Sequence, residues 1–299
     1  MNDIWLNGER GAPVTQGGLD RGLLYGDGFF TTMLVVQGQL ANWSGHVSRL
    51  EQSARRLGFE GFDLAACRQD LAQVMQTWGS WPDFAVIKLI VTRGTGGKGY
   101  QPAVHQDHRR YIQVLPYPKG EKMQSLPECA SPAWQIFMPS VTESSVTWGK
   151  QPLLAGLKHL NRLENVLARQ ALMDTPWEEA LMMDMDGHYI SATQANLCIV
   201  EGKQLLTPDL NDCGVQGTAL SSLADICRSR GLTLKTTRFN RQRLQQAEEV
   251  FLCNALRGVM PVSQFDQRTF RTEVGRQLAE DWINWTMAHL TPLNALENG

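Results

Sequence analysis

The sequence predicts an α+β fold in two halves, and two observations carry this prediction. Segments with apolar residues at helical spacing are interspersed with short apolar segments typical of strands, without the regular strand–helix–strand repeat of a doubly wound sheet. A stretch rich in Pro, Lys, Glu and Ser, residues 116–132, has no sustained periodicity. We therefore expect a smaller domain over residues 1–117, a linker over 118–132 and a larger domain over 133–299.

In the first half, strands are expected on both sides of two helices. Gln37-Gly38 is a turn signal between two strands. Ser44 suits the N-cap of the first helix and Gly58 its end, while Asp63 precedes the second helix, whose apolar residues keep the helical period. The predicted elements are strands at 3–9, 29–40, 84–92 and 111–115, and helices at 44–57 and 64–78.

The second half is expected to alternate strands and helices around several tight turns. Asp186-Gly187 and Glu201-Gly202 are turn signals, and Gly231 closes a helix. The predicted elements are strands at 133–138, 180–184, 189–200, 204–207, 234–239 and 249–253, and helices at 158–173, 219–230 and 273–289.

Composition excludes several classes of protein. The formal net charge of −2 over 299 residues gives no global attraction to nucleic acid or to an anionic membrane. Six cysteines without a CxxC pair fit buried thiols in a reducing compartment. The first residues lack the apolar run of a signal peptide, and no apolar segment approaches the roughly 20 residues that span a bilayer. We expect a cytoplasmic protein.

Lys158 lies in the most informative segment, LLAGLKHLNRLENVLAR. Because the neighbouring apolar residues recur at three- and four-residue intervals, we expect Lys158 at the start of an apolar helix face, where desolvation would lower the pKa of its amine. A neutral amine is what a Schiff base with a carbonyl compound or with pyridoxal phosphate requires. The alternative is a surface lysine with its charge in water. The apolar positions are Leu157, Leu160, Leu163, Val166 and Leu167.

Two glycine-rich segments are candidates for binding anions. RGTGGKGY, starting at Arg93, is neither a Walker loop nor a dinucleotide fingerprint, but a mobile loop with Arg93 and Lys98 could close over an anionic substrate. GVQGTALSS, starting at Gly214, precedes a helix, where backbone N–H groups and the helix dipole attract phosphate. The alternative there is an ordinary capped helix. The histidines form no metal-ligand pattern, so no metal is expected.

These segments together resemble the fold-type IV pyridoxal-phosphate enzymes, which include branched-chain and D-amino-acid aminotransferases and aminodeoxychorismate lyases. The resemblance runs from the first strand to about residue 262 and implies the two-domain fold of that family, pyridoxal 5'-phosphate as cofactor and a homodimer. Five segments carry it: RGLLYGDGFFTT, HVSRLEQSARRL, RGTGGKGY, GLKHLNRLENVLAR and CNALRGVMPV. The third, fourth and fifth resemble the lyase branch in particular.

The resemblance also implies the cofactor-binding residues. Lys158 would hold the cofactor and then act as acid and base, and Arg49 would bind its phosphate with a guanidinium fork that suits phosphate geometry. The remaining cofactor-binding positions are Ser191, Asn196, Gly217, Thr218, Ala219, Asn254 and Ala255. At Ala255 the aminotransferases have a hydroxyl residue, so a bond there is lost or left to the main chain.

Ser191 departs from the family pattern, in which a glutamate five residues before the asparagine keeps the pyridine nitrogen protonated. A serine carries no negative charge, so the cofactor would be a weaker electron sink. An elimination whose product becomes aromatic needs less help from the ring than transamination does. Ser191 therefore favours a lyase over an aminotransferase, and the resemblance to the lyase branch implies conversion of 4-amino-4-deoxychorismate to p-aminobenzoate and pyruvate in folate biosynthesis.

By this resemblance the substrate would be a small molecule with two carboxylates, and the weaker candidates for binding them are Thr31, Thr32, Arg93 and Arg257. Two alternatives stay open at this point. One is a D-amino-acid or branched-chain aminotransferase of the same family. The other is a catalytically silent protein that binds pyridoxal phosphate.

Overall fold

The computed structural model describes residues 3–10, 19–118, 123–125 and 134–297. The chain divides into two compact units. The first comprises Met1–Pro118, Lys158–Asn161 and His289–Gly299, and the second comprises Lys119–Leu157 and Arg162–Ala288. The predicted boundaries at 117 and 133 stay a prediction, because most of the linker 118–132 lies outside the described residues.

The secondary structure confirms the predicted α+β class. The strands are β1 Asp3–Leu6, β2 Glu9–Arg10, β3 Gly28–Val36, β4 Gln39–Ala41, β5 Phe84–Thr92, β6 Arg109–Pro116, β7 Met123–Ser125, β8 Gln135–Phe137, β9 Ser140–Glu143, β10 Glu179–Met183, β11 Tyr189–Ala192, β12 Asn196–Glu201, β13 Gln204–Pro208, β14 Thr233–Thr237, β15 Glu249–Asn254, β16 Gly258–Pro261, β17 Gln264–Phe265, β18 Arg268–Thr269 and β19 Leu290–Thr291. The helices are α1 Arg21–Tyr25, α2 Trp43–Arg56, α3 Leu64–Trp78, α4 Leu163–Gln170, α5 Thr218–Ser229, α6 Arg241–Gln246, α7 Glu273–Ala288 and α8 Leu293–Glu297.

The first unit is built on an antiparallel sheet whose described strands follow the order β19-β4-β3-β5-β6-β1-β2. The turn between β3 and β4 is the predicted Gln37-Gly38, with φ of 47° and 76°. Helices α2, α3 and α8 pack with this sheet around a buried core that contains Phe29, Leu71 and Ile87. Fully burying such a side chain contributes about 1.5–3 kcal/mol to folding relative to exposure.

Helix α2 starts one residue earlier than the sequence predicts, and its cap is different. Asn42, not Ser44, is the N-cap: its φ is 51° and its Oδ1 accepts a 3.3 Å hydrogen bond from the Gly45 N–H. Asparagine tolerates this left-handed conformation better than most residues and supplies the side-chain acceptor. Helix α3 has the predicted bounds, and its N-cap is Asp63.

The second unit contains two main sheets in its described residues, with strand orders β11-β10-β9-β17-β18 and β14-β13-β12-β15-β16. The single strand predicted over 189–200 is wrong. It is divided into β11 and β12, which belong to different sheets. Between the two strands, the N–H of Thr193 donates to the buried Glu179 carboxylate at 3.1 Å, and its hydroxyl donates to the same carboxylate. In addition, β7 pairs with β8, so the predicted linker contains a strand.

The helices and cysteines can be compared with what the composition indicates. None of the helices in the described part of the chain is long and apolar enough to cross a bilayer. The described cysteines, Cys67, Cys198, Cys213, Cys227 and Cys253, are free and buried. Cys129 lies outside the described residues.

Candidate functional site

Lys158 does not belong to a helix, and the helix predicted over 158–173 is observed only over Leu163–Gln170, so its first five and last three residues are wrong. The segment Lys158–Asn161 instead binds the start of β3: the Phe30 N–H donates to the Lys158 carbonyl and the Leu160 N–H to the Gly28 carbonyl, both at 3.0 Å. These bonds give the segment strand-like partners that a helix would not allow. Helix α4 starts at Leu163, and its predicted apolar face is exposed rather than buried.

The amino group of Lys158 lies over an aromatic ring that it shares with a second lysine. Its Nζ is 4.7 Å from the centroid of the Phe30 ring, and the Nζ of Lys88 on β5 is 4.8 Å from the same centroid. Burial lowers the pKa of Lys88. No hydrogen bond or ion pair to Lys88 occurs among the residues described, so this half-buried cation lacks a counter-ion. Sequence reasoning missed it, although a lysine within the apolar strand FAVIKLIVT was a signal.

Arg49, Thr31 and His46 form a hydrogen-bonded group in the first unit. Arg49 donates to Thr31 Oγ1 at 3.4 Å, and Thr31 Oγ1 lies 2.6 Å from His46 Nδ1. Burial, followed by the charges of Arg49 and Lys158, lowers the pKa of His46 to about 3. His46 is therefore neutral at physiological pH, and the Thr31 hydroxyl can donate to it while accepting from Arg49. Burial also lowers the pKa of Arg49 to about 10, which leaves it charged.

The glycine-rich segment after β5 is tied down by two buried arginines. Arg21, which sequence reasoning missed, donates to the Gly99 and Tyr100 carbonyls at 2.9 Å and to Asp27 at 2.8 Å. Arg93 donates to Asp27 at 3.0 Å and to the Leu57 and Gly58 carbonyls at 2.7 Å. These bonds argue against a mobile loop, and they leave Arg93 poorly placed to bind substrate carboxylates. Thr32 lies opposite Lys88 and is partly exposed.

In the second unit, the start of α5 has the properties of a phosphate site. Gly217 is the N-cap and supplies no side-chain cap, so the first N–H groups of the helix are available. Thr218 is 5% exposed, and its Oγ1 is buried without a hydrogen-bond partner among the described residues. A Cβ at Gly217 would lie 2.0 Å from Asn196 Oδ1, while Asn196 Nδ2 donates to the Val215 carbonyl at 2.8 Å. Asn196 therefore supports the turn, and Ala219, the second residue of α5, is buried.

Ser191 is buried on β11 and has an aromatic partner. Trp148 Nε1 donates to Ser191 Oγ at 3.1 Å. No carboxylate contacts Ser191 among the residues that the structure describes. Sequence reasoning singled out Ser191 but missed Trp148.

A family model confirms the resemblance. The model of class IV amino-transferases matches residues 28–265. The chain belongs to this family. An aminodeoxychorismate lyase from Vibrio harveyi is 32% identical over 270 residues, which cover 87% of this chain and 90% of that protein.

Solved structures extend the likeness to the fold. The crystal structure of 4-amino-4-deoxychorismate lyase from Pseudomonas aeruginosa matches with a TM-score of 0.82 and 35% identity, covering 94% of this chain and 98% of that one. A hypothetical aminotransferase from Mycobacterium tuberculosis in its PLP-bound form matches with a TM-score of 0.78 and 20% identity, covering 96% and 99%. The predicted fold-type IV architecture is thus confirmed.

The turn after β15 in this class IV chain is closed by a side chain. Asn254 Oδ1 accepts the N–H groups of Leu256 and Arg257 at 3.0 and 2.9 Å, which holds Ala255 at the bend. The guanidinium of Arg257 lies 4.0 Å from the centroid of the Phe137 ring, a cation–π contact. Asn254 and Ala255 stay candidates for cofactor contacts, and Arg257 stays a candidate for substrate.

Asp184, Asp186 and His188 are the described residues with metal-ligand spacing. Lys150 Nζ binds both aspartates, and Asp184 Oδ1 accepts the N–H groups of Asp186 and His188 at 2.9 Å. The cluster is therefore occupied by an ammonium and closes the turn, as the sequence predicts for the two aspartates.

Proposed function

We propose that the protein is a pyridoxal-phosphate-dependent lyase that converts 4-amino-4-deoxychorismate to p-aminobenzoate and pyruvate, a step of folate biosynthesis. The observation that carries the proposal is the likeness, over most of the chain, to two lyases that bear this name. The site adds chemical support, because the amino groups of Lys158 and Lys88 lie 4.7 and 4.8 Å from the Phe30 ring centroid, and Lys88 has no counter-ion among the described residues.

The described residues fit pyridoxal phosphate. The buried Thr218 hydroxyl without a partner and the uncapped start of α5 suit a phosphate group. In the second unit we assign the phosphate to Gly217, Thr218 and Ala219, with Asn196, Asn254 and Ala255 shaping the turns of that unit. Arg49 of the first unit stays a candidate for the phosphate by resemblance alone. When bound, the cofactor supplies a carbonyl that takes up amines and a ring that withdraws electrons from them.

Lys158 carries the proton transfers in this proposal. Its amine would hold the cofactor, and its Nζ, when free, would remove the proton from the substrate ring carbon next to nitrogen. Nζ later protonates the departing enolpyruvyl group, which leaves as pyruvate while the ring becomes aromatic. His46 lies close enough to Lys158 for the lysine charge to help lower its pKa, so His46 is neutral beside the reacting amine.

The substrate carboxylates need cationic and hydroxyl partners. Lys88 is the best-placed cation, since it is half-buried beside Phe30 and has no counter-ion among the described residues. Thr31, Thr32 and Arg257 stay weaker candidates.

An aminotransferase for D- or branched-chain amino acids is the alternative function, which the family name supports. The purified holoenzyme should be given aminodeoxychorismate in one assay, and an amino acid with a keto acid in another. The proposal expects p-aminobenzoate and pyruvate in equal amounts and slow amino exchange. Rapid exchange without either product contradicts it. Absence of both activities would favour the catalytically silent protein.

We also propose a homodimer in the cytoplasm. Exposed apolar side chains support an interface, and the buried free thiols fit a reducing compartment. Sedimentation should give twice the chain mass of 33.4 kDa. The exposed side chains include Leu23, Leu24, Leu163, Val166, Leu167 and Met173.

A further inference from the structure

The Ser191 hydroxyl accepts one hydrogen bond, but its own hydrogen has no acceptor among the described residues. The indole N–H of Trp148 only donates, so Ser191 Oγ is the acceptor in their 3.1 Å bond. The hydrogen of the hydroxyl therefore points elsewhere. Among the described residues no acceptor for it occurs, although Ser191 is only 5% exposed. A buried donor without an acceptor costs free energy unless a ligand satisfies it.

Trp148 is held firmly enough to aim this hydroxyl. It is 3% exposed and packs in an apolar cluster with Met182, Ile190 and Cys213. The guanidinium of Arg162 lies 5.3 Å from the centroid of its ring. Because a positive charge lies against Trp148 and Ser191 carries no negative charge, the surroundings of the hydroxyl favour a neutral acceptor over a cationic one.

The free hydroxyl also lies on the strand that packs against the proposed phosphate turn. A Cβ at Gly214 would lie 2.7 Å from Ile190 Cγ2, so the residue next to Ser191 touches the segment that leads to Gly217. Val215 belongs to the same apolar cluster as Trp148. A ligand with its phosphate at the start of α5 thus has β11 close by.

We propose that Ser191 donates its hydrogen to the ring nitrogen of pyridoxal phosphate, and that Trp148 is a positioning residue that aims the hydroxyl. The proposal rests on the proposed cofactor. Because the nitrogen lone pair accepts this hydrogen bond, the nitrogen stays unprotonated, and the ring withdraws electrons weakly. That is sufficient for an elimination driven by aromatisation but poor for amino exchange.

Nitrogen-15 NMR of the holoenzyme loaded with ring-labelled cofactor tests the proposal directly. Wild type should give the shift of an unprotonated, hydrogen-bonded pyridine. Ser191→Ala should move the signal to that of a pyridine without a hydrogen bond and weaken cofactor binding about three- to tenfold, the usual effect of one hydrogen bond. Ser191→Glu should give a pyridinium signal and faster amino exchange.

Trp148→Phe removes the aiming bond and should shift the signal towards that of Ser191→Ala. Trp282→Phe is the matched control, because Trp282 is equally buried but its Nε1 has no partner among the described residues. A pyridinium signal in wild type, or equal signals for Trp148→Phe and Trp282→Phe, would overturn the proposal while leaving the lyase function intact. Failure to bind the cofactor at all would overturn both.

Discussion

The Gly217→Ala variant is expected to bind pyridoxal phosphate about 5- to 150-fold more weakly than wild type. The new Cβ would lie 2.0 Å from Asn196 Oδ1, well inside contact distance. The amide must then move, and its 2.8 Å hydrogen bond to the Val215 carbonyl is lost. Leaving a buried group without its partner costs about 1–3 kcal/mol. This loss of free energy should weaken cofactor binding, because the displaced turn has to return to its original shape before it can bind the phosphate.

The assay is a titration of apo-protein with pyridoxal phosphate, followed by absorbance, with the free energy of unfolding of the apo-protein measured in parallel. Asp225→Ala is the control. Asp225 is exposed on the same helix, and its ion pair with Arg228 lies at the surface, where such a pair contributes little. An unchanged Kd for Gly217→Ala would refute the assignment of the phosphate to this turn. A loss of apo-protein stability with no change in Kd would assign Gly217 to folding alone.

Three further predictions concern the first unit. His46 has a pKa of about 3 when folded and about 6.5 when unfolded, so the unfolded state binds more protons between these values and stability falls by about 1.4 kcal/mol per pH unit below 6.5. Urea unfolding at several pH values should show that slope in wild type and lose it in His46→Gln; equal slopes contradict the argument. Lys88→Met removes the proposed cationic partner of a substrate carboxylate and should raise KM for aminodeoxychorismate about 10- to 100-fold with kcat nearly unchanged. The control Lys203→Met, at an exposed lysine, should leave KM unchanged. Steady-state kinetics of the two variants test this prediction. Asp27→Asn leaves the buried guanidinium groups of Arg21 and Arg93 without their carboxylate and should lower the free energy of unfolding by about 3 kcal/mol. This value is at the low end of the usual cost of breaking a buried ion pair, because both arginines keep backbone carbonyl partners. A loss below about 1 kcal/mol in urea unfolding would be inconsistent with this network.

Elements defined by local signals could be predicted from the sequence. Helix Leu64–Trp78 and strand Phe84–Thr92 have their predicted bounds, because a periodic apolar face and an N-cap are properties of neighbouring residues. The segment Lys158–Asn161 could not be predicted in this way. Its backbone partners lie on β3, far earlier in the chain, and these long-range bonds override the helical spacing of its leucines.

In the candidate site, too, local sequence identified the residues but not their long-range contacts. Resemblance pointed to Lys158, Arg49 and Ser191 by their positions in motifs. Some of their partners, such as Phe30 and Thr31, lie in another matching segment, but the sequence does not show which segments meet, and other partners lie outside every matching segment. Lys88 shares an aromatic ring with Lys158, and Trp148 holds the Ser191 hydroxyl, yet neither lies in a matching segment.

The most direct test of the central claim is to locate the cofactor on the chain. Borohydride treatment of the holoenzyme fixes pyridoxal phosphate to the lysine that holds it, as a stable secondary amine, and peptide mass mapping then identifies that lysine. The account predicts the added mass on the peptide that contains Lys158 and its disappearance in Lys158→Ala. Added mass on Lys88 or on another lysine, or none on any peptide, would contradict it.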